Sequence, residues 1–238
     1  MKISAKARYF RLRVAPGATV SALYREAPDA IALLVLAHGA GAGMTHPFMV
    51  AIADLLAEAG VSTLRFQFPY MEAGSKRPDR PAVAHTAIRA AVRKAAKLAP
   101  ALPLFAGGKS FGGRMTSQAQ ALEPLPNVQG LVFLGFPLHP PEKPSVDRAA
   151  HLSNTLVPLL FIQGTRDRLA RPALLRKVMK SLGKRATFRP VKDADHSFGV
   201  LVRSGRSPEE VLREIAEVMG GWMRLRESAK PPARGTSP

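Results

Sequence analysis

A serine between glycines is the feature of this sequence best suited to chemistry. The segment Gly107–Gly113 reads GGKSFGG and contains a G-x-S-x-G motif centred on Ser110. An apolar stretch, Leu102–Ala106, precedes it, and a helical pattern begins near Arg114. This context predicts a sharp strand-to-helix turn that holds the serine in a strained conformation and exposes its Oγ at a helix N-terminus. We interpret Ser110 as a nucleophile; a plain glycine-rich turn is the alternative.

A serine nucleophile needs a base and an acid that orients the base, and both follow Ser110 in the chain. Asp167 comes shortly after the apolar run Leu159–Gln163, and His196 follows a last, more polar strand, Ala186–Val191. The order serine, acid, histidine is one of the orders in which such triads occur. Active sites of open α/β sheets gather at the carboxyl ends of strands. We therefore predict that Ser110, Asp167 and His196 form a catalytic triad.

Other acids and histidines compete for these roles. Asp193 and Asp195 adjoin His196 and could orient it, but a side chain so near in sequence rarely reaches the Nδ1 atom of an imidazole in a loop. Asp167 is therefore the favoured acid. Two further histidines are expected to be surface or packing residues: His85 and His151.

A second glycine-rich loop, His38–Gly43, lies between the apolar run Ile31–Ala37 and a predicted helix that starts at Pro47. Such loops can bind nucleotide phosphates. This one lacks G-x-G-x-x-G with a following acidic residue, and no Gly-Lys-Ser/Thr comes directly after it. We interpret it as the source of one backbone N–H for an oxyanion, with the N–H of Phe111 as the second donor. Four residues are predicted to line the substrate pocket: His38, Gly39, Gly41 and His139.

The elements that must position these residues alternate between apolar runs and helical patterns. This alternation predicts an α/β fold with a mostly parallel, doubly wound sheet. The segments Ala7–Val14 and Thr19–Arg25 alternate at period two around Pro16-Gly17, which predicts an antiparallel hairpin at the sheet edge. Buried strands are predicted at Ile31–Ala37, Val61–Phe66, Leu102–Ala106, Val128–Gly135 and Leu159–Gln163. Amphipathic helices are predicted at Pro47–Ala59, Pro81–Ala99 and Pro208–Glu227.

Length and composition limit the remaining possibilities. The chain has 238 residues, 46% of them hydrophobic and 22% charged, which predicts one folded domain over residues 1–229 and a flexible, proline-rich tail over 230–238. Cysteine is absent, which excludes disulfides, thiolate metal sites and a cysteine nucleophile. No metal or organic cofactor is expected. Two irregular stretches, Gln67–Arg80 and Phe136–Asn154, are expected to roof the pocket in place of a large lid.

The charge balance is strongly basic. There are 35 Lys and Arg residues against 17 Asp and Glu, a formal net charge of +18. We interpret this excess as a solvated surface, with steering of anionic substrates as the alternative. Nucleic acid is not an expected partner, because the chain has no zinc-finger spacing and aromatic residues make up only 6%. No membrane span and no secretion signal are apparent, so we expect a cytoplasmic protein; the oligomeric state is left open.

Taken together, these residues resemble the α/β-hydrolase fold, and within it the small, cap-poor proteins near dienelactone hydrolase. The nearest resemblance is to a bacterial group related to a testis-expressed α/β-hydrolase-like protein and to a subunit of the nonspecific-lethal histone acetyltransferase complex. The segments that carry it are His38–Gly41, His46–Phe48, Gly108–Arg114, Gly135–Pro140, Gln163–Asp167 and Asp195–Phe198. The resemblance implies the triad Ser110, Asp167 and His196, with Ala40 and Phe111 as oxyanion donors. A serine stands where dienelactone hydrolase itself uses cysteine.

The sequence thus predicts a serine hydrolase that cleaves a carboxylic ester or thioester through an acyl-enzyme intermediate. The absence of a large lid favours small or exposed acyl groups, and the substrate is a small molecule. The alternative is a catalytically weak scaffold with the same fold, or an anion-binding protein that acts through partner contacts.

Overall fold

An eight-stranded sheet organises residues 7–228, the part of the chain that the computed structural model describes. The strands are β1 (Ala7–Ala15), β2 (Ala18–Arg25), β3 (Ala32–Ala37), β4 (Val61–Phe66), β5 (Leu104–Lys109), β6 (Val128–Leu134), β7 (Leu159–Gly164) and β8 (Ala186–Val191). Their spatial order is β1-β2-β4-β3-β5-β6-β7-β8. β1 pairs antiparallel with β2 and β2 antiparallel with β4, whereas all later pairs are parallel. The prediction of a mostly parallel sheet with an antiparallel hairpin at its edge is confirmed.

Residues 7–228 contain six α-helices, five of them between strands and the last after β8. They are α1 (Pro47–Glu58), α2 (Pro69–Glu72), α3 (Pro81–Leu98), α4 (Phe111–Leu122), α5 (Pro172–Leu182) and α6 (Pro208–Ser228), with a 3-10 helix at Asp147–Thr155. α1 and α6 pack on one face of the sheet, and α3, α4 and α5 pack on the other. No helix within residues 7–228 is long and apolar enough to span a membrane. The same residues contain no lid domain, so the carboxyl ends of the strands are reached directly from solvent.

The parallel strands are buried on both faces, which explains their continuously apolar sequences. In β3, Leu33 and Val35 pack into the core beneath α3 and α4, whereas Leu34 and Leu36 pack into the core beneath α1 and α6. Successive side chains of a strand point to opposite faces, so a strand covered on both sides needs apolar residues at every position.

The strand before Ser110 is displaced from its predicted position. β5 runs from Leu104 to Lys109 rather than over 102–106, because two glycines that read as a loop belong to the strand. A Cβ at Gly107 would lie 1.9 Å from the carbonyl oxygen of Val132, and a Cβ at Gly108 would lie 2.3 Å from that of Ala37. Neighbouring strands therefore approach too closely here for any residue but glycine. The helices α2 and α5 were not predicted, and the segment 230–238 lies outside the described residues.

Candidate active site

Ser110 occupies a strained turn between β5 and α4. Its φ and ψ angles are 49° and −111°, a region that residues with a side chain adopt only when the surroundings enforce it. Its N–H donates to the carbonyl oxygen of Leu134 on β6, 3.0 Å away. A Cβ at Gly112 would lie 2.6 Å from the carbonyl oxygens of Ala37 and His38. The glycine is thus required because the first turn of α4 lies against the end of β3.

Three side chains form a continuous hydrogen-bonded line at the carboxyl ends of the strands. The Nε2 atom of His196 lies 2.9 Å from the Oγ of Ser110, and its Nδ1 atom lies 2.7 Å from the Oδ2 of Asp167. The structure therefore brings together the three residues that were predicted as a triad. With Nδ1 donating to the carboxylate, Nε2 is left free to accept the serine proton.

The carboxylate of Asp167 is buried and fully hydrogen-bonded. Its Oδ1 accepts from the N–H of Leu169 at 2.8 Å, and its Oδ2 accepts from the side-chain amide of Gln163 as well as from His196. Gln163 in turn accepts from the N–H of Phe136 at 2.9 Å, which fixes the orientation of its amide. These bonds hold the acid in one rotamer and keep the imidazole in a single orientation.

The competing acids do not contact the imidazole of His196. Asp195 instead folds back on its own loop, where its Oδ1 accepts from the N–H groups of Ser197 at 2.8 Å and Gly199 at 2.9 Å. Asp193 stands at a left-handed backbone position, with φ of 58°. Both therefore shape the loop that carries His196 rather than orient its ring.

Two main-chain N–H groups near Ser110, those of Phe111 and Ala40, have no hydrogen-bond acceptor within residues 7–228. Phe111 is the first residue of α4, and the first turn is closed by the N–H of Arg114 bonding to the carbonyl oxygen of Ser110 at 3.1 Å. The Phe111 N–H consequently has no acceptor within the helix. Ala40 borders the same cleft from the loop after β3, and its N–H meets no acceptor within residues 7–228.

His38 supports this loop from behind and does not line the cleft, contrary to the prediction. It is fully buried; its Nδ1 donates to the carbonyl oxygen of Gly39 at 2.8 Å, and its Nε2 accepts from the N–H of Phe68 at 3.0 Å. Burial lowers the pKa of His38 to about 4. The ring is therefore neutral near pH 7. The hydroxyl of Tyr70 donates to the carbonyl oxygen of Ala40 at 2.8 Å and fixes the loop from the same side.

His139 also lies outside the cleft, so its prediction as a pocket residue was wrong. Its Nε2 accepts from the N–H of Arg171 at 3.1 Å, and its Nδ1 donates to the carbonyl oxygen of Pro140 at 2.7 Å. Its own N–H donates to the carbonyl oxygen of Leu169 at 3.1 Å. His139 thus stabilises the loop that carries Asp167. Sequence position could not separate these roles, because a histidine in a loop can face either the solvent or the adjoining loop.

The cleft over Ser110 has a volume of about 260 Å³. Gly39 and Gly41 border it as predicted. The full lining comprises residues 39–42, His46, Phe48, Met49, Lys109, Ser110, His196 and Ser197. Neither irregular stretch expected to form a roof, Gln67–Arg80 or Phe136–Asn154, contributes to it. Phe68 and Tyr70 instead pack beneath the loop.

Lys109 is a residue of the site that the sequence analysis missed. Its ammonium donates to the main-chain carbonyl oxygen of His196. It lies 5.2 Å from the ring centroid of Phe198 and 6.0 Å from that of Phe48. Burial lowers the pKa of Lys109 to about 8, although the carboxylates of Asp167 and Asp195 act in the opposite direction. The available signal was a lysine directly before the nucleophile, at the end of an otherwise apolar strand.

A second serine–histidine contact does not form an alternative nucleophile. The Oγ of Ser117 lies 2.8 Å from Nε2 of His151, but the serine is buried within α4 and its hydroxyl donates to the carbonyl oxygen of Arg114 at 2.9 Å. Burial, with the nearby Arg114 and His85, lowers the pKa of His151 to about 4. This pair is therefore a packing contact. Within residues 7–228, no three His, Asp or Glu side chains are grouped so that they could hold a metal ion.

Comparison with known proteins identifies the family of this chain and other proteins that share its fold. A family model described as "Alpha/beta hydrolase domain" matches residues 30–224. A dienelactone hydrolase from Anabaena variabilis is 19% identical, with a TM-score of 0.70 over 92% of this chain and 98% of its own. A serine hydrolase without a lid from Xanthomonas campestris is 18% identical, with a TM-score of 0.68 over 98% and 99%. Est1E from Butyrivibrio proteoclasticus, with ferulic acid bound, is also 18% identical, with a TM-score of 0.68 over 93% and 100%.

Proposed function

We propose that this chain, which belongs to the alpha/beta hydrolase domain family, is a serine hydrolase that cleaves a carboxylic ester or thioester. The observation that carries the proposal is the unbroken line of hydrogen bonds from Asp167 through His196 to Ser110, at 2.7 and 2.9 Å. Family membership supports hydrolysis as the class of reaction. The nature of the acyl and leaving groups is part of the proposal.

In the first half of the reaction, Ser110 Oγ attacks the acyl carbon while His196 Nε2 accepts its proton. Asp167 accepts a hydrogen bond from Nδ1 and stabilises the imidazolium that forms, without itself taking the proton. Negative charge develops on the former carbonyl oxygen, and we assign its stabilisation to the N–H groups of Ala40 and Phe111. Losing one such donor typically costs about 100- to 1000-fold in rate.

The tetrahedral intermediate then collapses: the bond from the acyl carbon to the leaving oxygen or sulfur breaks, the imidazolium gives its proton to that atom, and an acyl-enzyme remains. Water then enters the cleft, gives its proton to His196 and attacks the acyl carbon. The second tetrahedral intermediate collapses, the carboxylic acid leaves, and Ser110 regains its proton from His196. The triad, the two N–H groups and one water molecule supply every group that this cycle needs.

The shape of the cleft favours small acyl groups. Its volume is about 260 Å³, just below the usual range of roughly 300–1,000 Å³ for ligand pockets. Glycine and alanine form one wall, and Phe48 and Met49 form part of another. Short acyl esters are therefore expected to be hydrolysed faster than long ones. The absence of a lid within residues 7–228 leaves the leaving group open to solvent.

Active-site labelling tests the proposal most directly. A fluorophosphonate probe, with intact-mass detection, should add one adduct to the wild-type protein and none to Ser110→Ala. Ser117→Ala is the matched control, since it removes the other serine that contacts a histidine, and it should label as the wild type does. A panel of p-nitrophenyl esters should then show a burst of one p-nitrophenol per chain when deacylation is slow.

Absence of labelling by the fluorophosphonate probe would favour a protein without hydrolase activity. If folded wild-type protein takes no label, the hydrolase proposal is wrong, and a scaffold or anion-binding role becomes the better interpretation of the basic surface. Association with DNA or RNA that weakens steeply as salt rises would then support anion binding.

A further inference from the structure

Lys109 connects the end of β5, which leads into Ser110, to the loop that carries His196. The reaction requires these two side chains to stay aligned. It is the last residue of β5 and directly precedes Ser110, so its main chain moves with the nucleophile. Its side-chain ammonium donates to the main-chain carbonyl oxygen of His196, a residue 87 positions away in sequence. One side chain therefore links the strand that presents the nucleophile to the loop that presents the base.

The ammonium is enclosed on the apolar side by two stacked aromatic rings. Phe48 on α1 and Phe198 in the histidine loop stack with their centroids 5.9 Å apart and their planes 11° from parallel. The Nζ of Lys109 lies within 6.0 Å of both centroids, a distance at which a cation is attracted to the ring faces. These contacts favour the position of the ammonium beside His196.

The carboxylates that face Lys109 are those of Asp167 on the β7 loop and Asp195 on the β8 loop, and the residue whose main-chain carbonyl it contacts is His196 on the β8 loop. No carboxylate within residues 7–228 lies within ion-pair distance of its Nζ. The charge is thus held by a carbonyl oxygen and ring faces. Keeping a cation in such a place without a paired anion is unfavourable for folding, which favours a functional reason for the lysine.

A further contact shows how near the ammonium is to the histidine ring. A Cβ at Gly135 would lie 3.1 Å from Lys109 Nζ and 3.4 Å from both Nδ1 and Cε1 of His196. The two side chains therefore face each other across a glycine at which any larger residue would intervene. Gly135 has φ of 69°, so its backbone also favours glycine.

We propose that Lys109 is a positioning residue for hydrolysis: its ammonium fixes the main chain of His196 and so keeps Nε2 in line with the Oγ of Ser110. This inference rests on the proposed function. Charge-assisted hydrogen bonds are roughly twice as strong as neutral ones, so the charged lysine holds the loop more firmly than its neutral amine does.

The proposal implies a specific dependence on pH. Burial lowers the pKa of Lys109 to about 8, so the ammonium loses its proton well below the pH at which an exposed lysine does. Above pH 8 the neutral amine holds the His196 carbonyl more weakly and no longer attracts the two carboxylates or the two rings. The value of kcat/KM should therefore fall on the alkaline side with a midpoint near pH 8.

Two variants test this role. Lys109→Met keeps an unbranched side chain, one atom shorter than that of lysine, and removes the charge and the donor. Lys109→Cys introduces the single cysteine of a chain that has none, so treatment with 2-bromoethylamine places one aminoethyl group at this position alone. The product carries an ammonium on a side chain of nearly lysine length. Its thioether sulfur withdraws electron density, so its amine is less basic than that of lysine.

We expect kcat/KM of Lys109→Met at pH 7 to fall about 5- to 50-fold, with kcat rather than KM affected, and its alkaline limb to disappear. Aminoethylation of Lys109→Cys should restore most of the activity and bring back an alkaline limb at lower pH than in the wild type. The rate of fluorophosphonate labelling should follow the same pattern. Circular dichroism of the Cys variant before and after modification checks that both are folded.

Two results would overturn the inference. Lys109→Met with wild-type kcat/KM and an unchanged alkaline limb would show that the ammonium does not position His196. Failure of aminoethylation to restore activity in folded protein would show that an ammonium at this position does not position His196. Absence of labelling in the wild type would contradict the proposed function itself, so the two failures are distinguishable.

Discussion

Replacing Lys109 by methionine is expected to stabilise the folded protein while it slows the reaction. Burial lowers the pKa of Lys109 from 10.5 to about 8. At roughly 1.4 kcal/mol per pKa unit, folding at pH 7 is about 3 kcal/mol less favourable than it would be if the lysine kept its ordinary pKa in the folded state. Methionine is flexible and apolar and adapts well to irregular space beside aromatic rings. Losing the charge-assisted hydrogen bond to the His196 carbonyl offsets about 1 to 2 kcal/mol of the gain. We therefore expect the free energy of unfolding at pH 7 to rise by about 1 to 2 kcal/mol.

The dependence of the unfolding free energy on pH tests separately whether the charge on Lys109 is destabilising. Between pH 8 and 10.5 the unfolded wild-type chain retains a proton on Lys109 that the folded chain has lost. Stability rises with pH wherever the unfolded state binds more protons, so the wild type should gain stability across this window. Lys109→Met lacks the group and should show no such gain. Other groups titrate in both proteins, and their effect cancels in the difference between the two curves.

Urea unfolding at about pH 7 and at about pH 9.5, followed by tryptophan fluorescence or circular dichroism, measures both quantities. The stability advantage of Lys109→Met should be present at the lower pH and largely absent at the higher. A variant that is less stable than the wild type at pH 7, or an advantage that does not change with pH, would refute the argument that the buried charge is destabilising.

Three further predictions concern the rest of the site. Asp167→Asn should lower kcat on p-nitrophenyl esters by about 10⁴-fold, because the amide favours the wrong imidazole tautomer; an effect below tenfold would contradict its role. Gly112→Ala should lower the free energy of unfolding, measured in urea, by about 2 kcal/mol or more, since its Cβ would lie 2.6 Å from two main-chain oxygens. Gly221→Ala is the control: this glycine has open space around it, so the variant should not be destabilised. Burial lowers the pKa of His38 to about 4 in the folded protein, so its contribution to stability is present above the unfolded pKa of 6.5 and is lost as pH falls from 6.5 towards 4. His38→Gln should flatten that part of the plot of unfolding free energy against pH. An unchanged plot would contradict the buried, neutral state of His38.

Much of the site could be predicted from the sequence because its geometry is encoded locally. The glycines around Ser110 are required by contacts with adjoining strands. Their spacing in the sequence nevertheless predicts the turn without knowledge of those strands. The alternation of apolar runs and helices determines a parallel sheet, and a parallel sheet brings the carboxyl ends of its strands to one edge. Asp167 and His196 each follow a strand that ends there, which is why their meeting with Ser110 could be expected.

The contacts that hold the site together could not be read from the sequence. His38, Tyr70 and His139 resemble any polar residue in a loop, and only the packed structure shows that each one holds the main chain of a catalytic loop. The same applies to Lys109, whose partner carbonyl belongs to a residue 87 positions away. Contacts of this kind depend on the exact separation of two loops, which is set by the packing of the whole sheet. The sequence by itself thus determined which side chains could do the chemistry, and the tertiary structure decided which neighbours hold them in place, because local patterns carry no information about distances between remote loops.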